Sequence, residues 1–354
     1  MSSPTVQLSI KGRGAADNPP NRFEPIALEP DWENVQPDDV PAPQTQFLRD
    51  ATRTFIVRNT SPDVGFEYSI NPYRGCEHGC IYCYARPGHE YFGLSAGLDF
   101  ETKIFVKLDG PRLLRQELSH PKWQACVLAI SGVTDCYQPV ERKLRITRQC
   151  LEVLSDLGHP CSLITKNHLI TRDIDVLSDM ARRNLAMAIL SVTTLNAELG
   201  ARMEPRTSAP ARRLDAIRAL SSAGIPTGIM IAPLVPGLTD HEVPSILSAC
   251  AEAGATFAGY VPLRLPFAVK ELFEQWLERH YPDRKDKVLN RIRSLRSGKL
   301  NDSNFHTRMR GNGAFADQFK KMFDLAKRRA GLDRPGPELT TGHFRRPNEQ
   351  FSLF

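Results

Sequence analysis

From Phe66 onward the sequence alternates short β-branched runs with longer amphipathic stretches, and this rhythm limits the fold more than any single residue does. The segments Phe66–Pro72, Cys126–Ser131, Ser162–Thr165, Ala186–Ser191, Gly228–Ile231 and Ala258–Leu263 predict strands. Between them, helical spacing predicts Arg112–Ser119, Glu141–Leu157, Arg172–Arg183, Ala211–Ala223 and Glu242–Ala253, mostly stopped by Gly158, Asn184, Gly224 or Gly254. Lys103–Leu108 reads as one more short strand. Strands alternating with helices require crossover connections, hence an α/β fold with a parallel sheet, either open or curled into a barrel. In both forms the chemistry gathers where the strands end.

After Pro266 the pattern changes to helices alone, at Val269–Arg279, Lys285–Arg296 and Ala314–Arg329. The first fifty residues, with Asn18-Pro19-Pro20, Pro37 and Pro41-Ala42-Pro43, have no apolar periodicity and read as extended or mobile chain draped over a folded body. The expected organisation is an N-terminal segment 1–52, a core 53–265 and a basic helical extension 266–354.

A chain of 354 residues, 41% of them hydrophobic, can bury a sizeable core, which excludes a disordered or fibrous protein. No apolar run approaches the roughly 20 residues of a membrane span, and no basic start precedes a short apolar stretch. The expected location is the cytoplasm, with no membrane partner. The net charge of +6 is uneven: from Ala268 to Phe354 there are 19 Lys and Arg against 11 Asp and Glu. Such a surface suits a nucleic-acid partner, and equally a set of solvated helix faces.

The 8 cysteines do not form a disulfide framework, since Cys76, Cys80 and Cys83 crowd together while Cys126, Cys136, Cys150, Cys161 and Cys250 are scattered. Cys150 and Cys250 sit in runs of helical apolar spacing and read as core residues. The crowded three form CxxxCxxC directly after the first strand. Soft thiolates suit iron–sulfur clusters or zinc. A four-iron cluster takes four ligands, so three leave one iron open to chelate another molecule. The zinc alternative needs a fourth ligand, which His78 or His89 could supply.

With Tyr82 just ahead of the third cysteine, the motif resembles that of the radical S-adenosylmethionine (radical SAM) enzymes. The resemblance implies a partial (β/α)6 barrel with a [4Fe-4S] cluster on Cys76, Cys80 and Cys83, whose open iron binds the amino and carboxylate groups of SAM. An external one-electron reductant then drives cleavage of SAM to a 5′-deoxyadenosyl radical, which takes hydrogen from the substrate. The phrases Tyr73 to Pro87 and Thr134-Asp135-x-Tyr137-Gln138-Pro139-x-Glu141 resemble the branch related to spore photoproduct lyase, as does Arg308-Met309-Arg310-Gly311. Within that branch, bacterial chains carrying the phrase seen here from Gly12 to Phe23 are mostly of unassigned function.

Residues just past the later strands are the expected contacts to SAM and substrate. Besides Tyr82 these are Thr134 and Asp135, facing the methionyl amine, Lys166, facing its carboxylate or ribose, and Ser191, Thr193 and Thr194. Asp135 and Glu141 read equally as turn or capping carboxylates, and Arg202, Glu204 and Arg206 as mouth residues or surface ion pairs. The segment from Met230 to Gly237 suits either a flat wall for adenine or a rigid turn. Spore photoproduct lyases reverse a thymine dimer in DNA and use a cysteine near the second strand's end as hydrogen donor. Here Gly132 holds that position, leaving Cys136 as the candidate donor. The expected function is radical SAM chemistry on an unidentified substrate; the alternatives are a DNA photoproduct lyase-like repair enzyme, or a nucleic-acid-binding protein with a structural cluster.

Overall fold

The computed structural model describes residues 10–23 and 43–346. The rest of the segment expected to be extended or mobile lies outside the described residues. Six strands run parallel in chain order: β1 (Tyr68–Ile70), β2 (Leu128–Ile130), β3 (Cys161–Thr165), β4 (Ala186–Ser191), β5 (Thr227–Leu234) and β6 (Phe257–Pro262). Ile56–Arg58 adds an antiparallel edge beside β1. Among the described residues no ladder joins that edge to β6, so the sheet is an open, partial barrel.

The crossovers are α1 (Gly110–Leu118), α2 (Ile146–Asp156), α3 (Ile174–Arg182), α4 (Pro210–Ser222) and α5 (Val243–Glu252). Their apolar faces and the strands share one core that includes Ile70, Ile130, Leu163, Leu190, Ile231, Leu154, Leu177 and Leu220. Three details differ from the sequence reading. Lys103–Val106 is a strand, but it belongs to a separate three-stranded sheet with Gln46–Arg49 and Tyr73–Arg74. The helix expected over Glu141–Leu157 is broken at Arg145, whose φ of 53° is left-handed. The buried Glu141 carboxylate explains the break: it accepts the Tyr73 hydroxyl, the Thr147 amide at 3.1 Å and Arg172 at 2.8 Å, so the chain turns around it. A short helix at Ala197–Met203 has no counterpart in the sequence pattern.

The helical extension consists chiefly of α6 (Val269–His280), α7 (Pro282–Leu295) and α8 (Gly313–Arg329). Helices α6 and α7 build a second core in which Phe273, Trp276 and Val288 join Cys80, Ile81 and Tyr82 of the cysteine loop. The extension thus buries one flank of the cysteine loop. Among the described residues no helix is long and apolar enough to cross a membrane.

Candidate functional site

The cysteine loop leaves the C-terminal end of β1 and is pinned at almost every turn. The Cys76 amide donates to Phe100 O at 2.9 Å, the Ile81 amide to Met203 O at 3.0 Å, and the Glu77 amide to Gln138 Oε1 at 2.9 Å. Glu77 in turn accepts the Val140 amide at 2.7 Å and pairs with Arg206 at 3.1 Å. Gly79 is required on two grounds: its φ is +65°, and a Cβ there would stand 2.6 Å from Glu101 Oε2.

Behind this loop lies a sealed ion pair. Arg86 and Glu101 are both fully buried and meet at 2.6 Å. Arg86 also donates to the carbonyls of Gly79, Cys80, Ala96 and Gly97. The Glu101 carboxylate further accepts the amides of Gly14 at 3.0 Å and Ala15 at 2.8 Å. The N-terminal phrase therefore lies directly on the cysteine loop, so closely that a Cβ on Gly14 would be 1.8 Å from Gly79 O. Further along, Arg22 pairs with the buried Glu90 at 2.7 Å.

Cys76 and Cys80 are buried and Cys83 is half-buried. Burial raises all three thiols; Cys76 is raised further by Asp135 and by the other two cysteines, which places the three within electrostatic reach of one another. Against this, the backbone polarity of Asp135 acts to lower Cys76, that of Ala85 and Arg86 to lower Cys83, and Lys166 lowers both Cys80 and Cys83. Thiols so buried become thiolates only beside strong positive charge, as a bound metal provides. Among the described residues no three His, Cys, Asp or Glu side chains converge tightly enough for a single ion. The donor set, three soft sulfurs in one loop at the C-terminal end of the first strand, fits an iron–sulfur cluster. Both histidines considered for zinc have other partners. His78 meets Asp135 at 3.4 Å and Asn167 at 3.1 Å, while His89 bonds Lys103 O at 2.9 Å and is held down to about 4 by burial.

The remaining expected residues separate into two groups. Tyr82 is buried, and its hydroxyl donates to Glu204, which also accepts Thr193 Oγ1 at 2.7 Å and pairs with the buried Arg213. Arg213 reaches on to Ser191 O at 3.0 Å, and Lys166 Nζ lies 6.0 Å from the Tyr82 ring. Tyr82, Lys166, Ser191 and Thr193 thus form one neighbourhood with Cys80. Burial pushes the Glu204 carboxyl upward, but Arg213, Lys166 and the two hydroxyl donors outweigh it and hold the group below its usual range.

Thr134 and Asp135 are engaged with the protein itself. Thr134 Oγ1 donates to Tyr73 O at 2.7 Å. Asp135 accepts Thr165 Oγ1 at 2.7 Å and the amides of Lys166 at 2.8 Å and Tyr137 at 2.9 Å. Burial acts to raise its carboxyl, but His78 and these donors bring it down to about 2. Asp135 therefore fastens the loop after β2 to the end of β3 and to the cysteine loop. Thr194 donates to Glu242 at 2.6 Å. Leu234 and Val235 are buried in the two cores. Cys136 is fully buried in the main core, beside Ser131, rather than at the mouth. Arg202 is a surface partner of Glu198. Glu101 and Arg213 are not legible in the sequence, and Arg86, though it falls within the Tyr73 to Pro87 phrase, shows no role there, because a buried carboxylate or guanidinium leaves no spacing pattern when its partner is remote in the chain.

Residues 70–250 match the family model described as the radical SAM superfamily. The chain belongs to the radical SAM superfamily. An uncharacterized protein of Mycobacterium tuberculosis (strain ATCC 25618 / H37Rv) is 34% identical over 232 residues, covering 65% of this chain and 67% of that one. An uncharacterized protein of Methanocaldococcus jannaschii is 28% identical, over 64% of this chain and 81% of its own. Among solved structures, spore photoproduct lyase complexed with dinucleoside spore photoproduct superposes with a TM-score of 0.57 at 16% identity, covering 80% of this chain and 79% of that one. That likeness is one of fold. The protein is a radical SAM enzyme, and its superfamily implies SAM and an iron–sulfur cluster.

Proposed function

We propose that Cys76, Cys80 and Cys83 hold a [4Fe-4S] cluster and that the enzyme cleaves SAM reductively to form a 5′-deoxyadenosyl radical, which abstracts hydrogen from a substrate bound at the open barrel mouth. The observation that carries this reading is the gathering of two buried cysteines and one half-buried cysteine in a single pinned loop at the C-terminal end of the first strand of a parallel barrel. When bound, the cluster supplies the electron that breaks the sulfonium bond. The chain's own residues hold and orient. Asp135 keeps the ends of β2 and β3 in register with the cysteine loop. Lys166 offers a positive charge beside Cys80 and Cys83, suited to the SAM carboxylate. The Tyr82–Glu204–Arg213 chain fixes the wall next to Cys80 and excludes water from it.

A lyase mechanism with a cysteine donor is not part of this reading. A Cβ at Gly132 would press on Phe66 at 3.2 Å and Ser69 at 3.3 Å, and Cys136 lies in the core. The test is anaerobic reconstitution with iron and sulfide, reduction with SAM present, and assay of 5′-deoxyadenosine beside the paramagnetic spectrum. Deoxyadenosine from the wild type and none from Cys80→Ala is the expected result. A cluster whose spectrum ignores SAM, or a preparation that holds zinc instead, would overturn the proposal.

A further inference from the structure

Arg264 lies two residues beyond β6, at the same end of the barrel as the cysteine loop. Its guanidinium stands 5.6 Å from the ring of Tyr84, the residue following Cys83. The Tyr84 hydroxyl donates to Gly132 O at 2.6 Å, just past β2, so this ring bridges the mouth while remaining half exposed. Arg264 therefore faces a surface bounded by the ends of β2 and β6 and the cysteine loop.

Arg264 is poorly partnered. Among the described residues it has no carboxylate within ion-pair distance, its Nε is buried without a hydrogen-bond partner, and its one polar side-chain contact is Met309 Sδ at 3.3 Å. A thioether is a weak acceptor. The carboxylate nearby is already taken: Asp63 receives Nε and Nη2 of Arg308 at 2.7 and 2.6 Å and the His306 amide at 2.9 Å. Nor is the surrounding lip free to adjust. Arg296, itself buried, ties the carbonyls of Leu263, Thr307 and Arg308 together. A half-buried guanidinium held rigidly without an anion is unfavourable unless a ligand supplies one, because Arg prefers planar two-point contact with an oxyanion.

We infer that Arg264 is an oxyanion receptor for the substrate, taking a carboxylate or phosphate group and so anchoring an anionic molecule over the site where the radical forms. The inference rests on the radical SAM reading for the identity of that site, but the anion contact itself needs neither cluster nor SAM. Lys166, in the loop after β3 and beside Cys80 and Cys83, is the counterpart for SAM's own carboxylate.

The experiment has two arms. In the first, the thermal midpoint of the cluster-free full chain is followed with sodium phosphate and with sodium acetate against sodium chloride at equal ionic strength. The wild type should show a saturable rise with at least one of the two anions. Arg264→Gln should reduce that rise at least threefold, and Arg264→Lys, which keeps the charge but not the fork, should give an intermediate value. Equal shifts in wild type and Arg264→Gln, or no shift in either, would overturn the inference. In the second arm, SAM affinity of the cluster-loaded protein is measured with and without phosphate. A change of less than twofold in Arg264→Gln is expected. A tenfold loss, with phosphate displacing SAM from the wild type, would instead assign Arg264 to SAM and overturn the substrate role. A loaded wild type that binds no SAM would sink the proposed function, whereas the anion shifts of the first arm would still decide whether Arg264 binds an oxyanion.

Discussion

Replacing Glu101 by Gln tests whether the sealed pair behind the cysteine loop holds that loop together. Glu101 and Arg86 have no solvent exposure and meet at 2.6 Å, and the same carboxylate accepts Gly14 N at 3.0 Å and Ala15 N at 2.8 Å. Removing one member of a buried pair leaves the other charge uncompensated, at a cost of about 3–5 kcal/mol. Four backbone carbonyls still solvate Arg86, which places the expected loss near the lower limit. The new amide then turns its NH2 toward either Arg86 or the Gly14 and Ala15 amides, and each buried donor left unmet costs about 1–3 kcal/mol. A total near 4 kcal/mol is the expectation, measured as a fall in the urea midpoint of the cluster-free protein at unchanged slope. The double replacement Glu101→Leu with Arg86→Met removes both charges but leaves the Gly14 and Ala15 amides and the carbonyls of Gly79, Cys80, Ala96 and Gly97 without these partners, so it should cost at least as much as Glu101→Gln. A loss below about 1 kcal/mol for Glu101→Gln, or a double variant more stable than it, would refute the reasoning.

Gly14→Val should lift the N-terminal segment, because its Cβ cannot stand 1.8 Å from Gly79 O; alkylation of Cys80 in the cluster-free chain should accelerate while the far-UV circular dichroism is retained. Arg213→Met leaves Glu204 buried without its cation and should cost about 3–5 kcal/mol, whereas Arg202→Met, on an exposed pair, should cost less than about 1 kcal/mol; paired urea titrations check both. His159 provides a pH test. Burial holds it down to about 4 from an ordinary 6.5, and as a neutral ring it accepts Trp123 Nε1 at 3.2 Å. Between those values the unfolded chain binds more protons than the folded one, so this residue's share of the stability is complete above about pH 6.5 and falls away toward pH 4. In His159→Gln that part of the pH dependence should vanish, and an unchanged profile would contradict the assignment.

Much of this architecture is legible without coordinates because it depends on local pattern. Each barrel strand lies where a short apolar run predicts it, and Ala186–Ser191 matches to the residue, since a largely buried strand is apolar nearly to its end. The break at Arg145 is hidden, because the amphipathic pattern runs on through Glu141–Leu157 while the cause of the break, Tyr73 and Arg172 gripping Glu141, comes from other elements. The roles of Thr134 and Asp135 are also ambiguous in the sequence: a polar residue past a strand faces the mouth by default, and only the positions of Tyr73, Thr165 and His78 show these two bonding inward.

The parallel α/β plan and the three thiols at the end of its first strand are written in local pattern, because both follow from spacing within short stretches of chain. Tertiary structure alone decided which charges stand behind and beside those thiols. Tyr82 and Glu204 are 122 residues apart in the chain, and Gly14 and Glu101 are 87 apart, yet each pair is in hydrogen-bond contact. Buried ionic contacts of that kind depend on how distant segments pack, so their physical cause is absent from any local window of sequence.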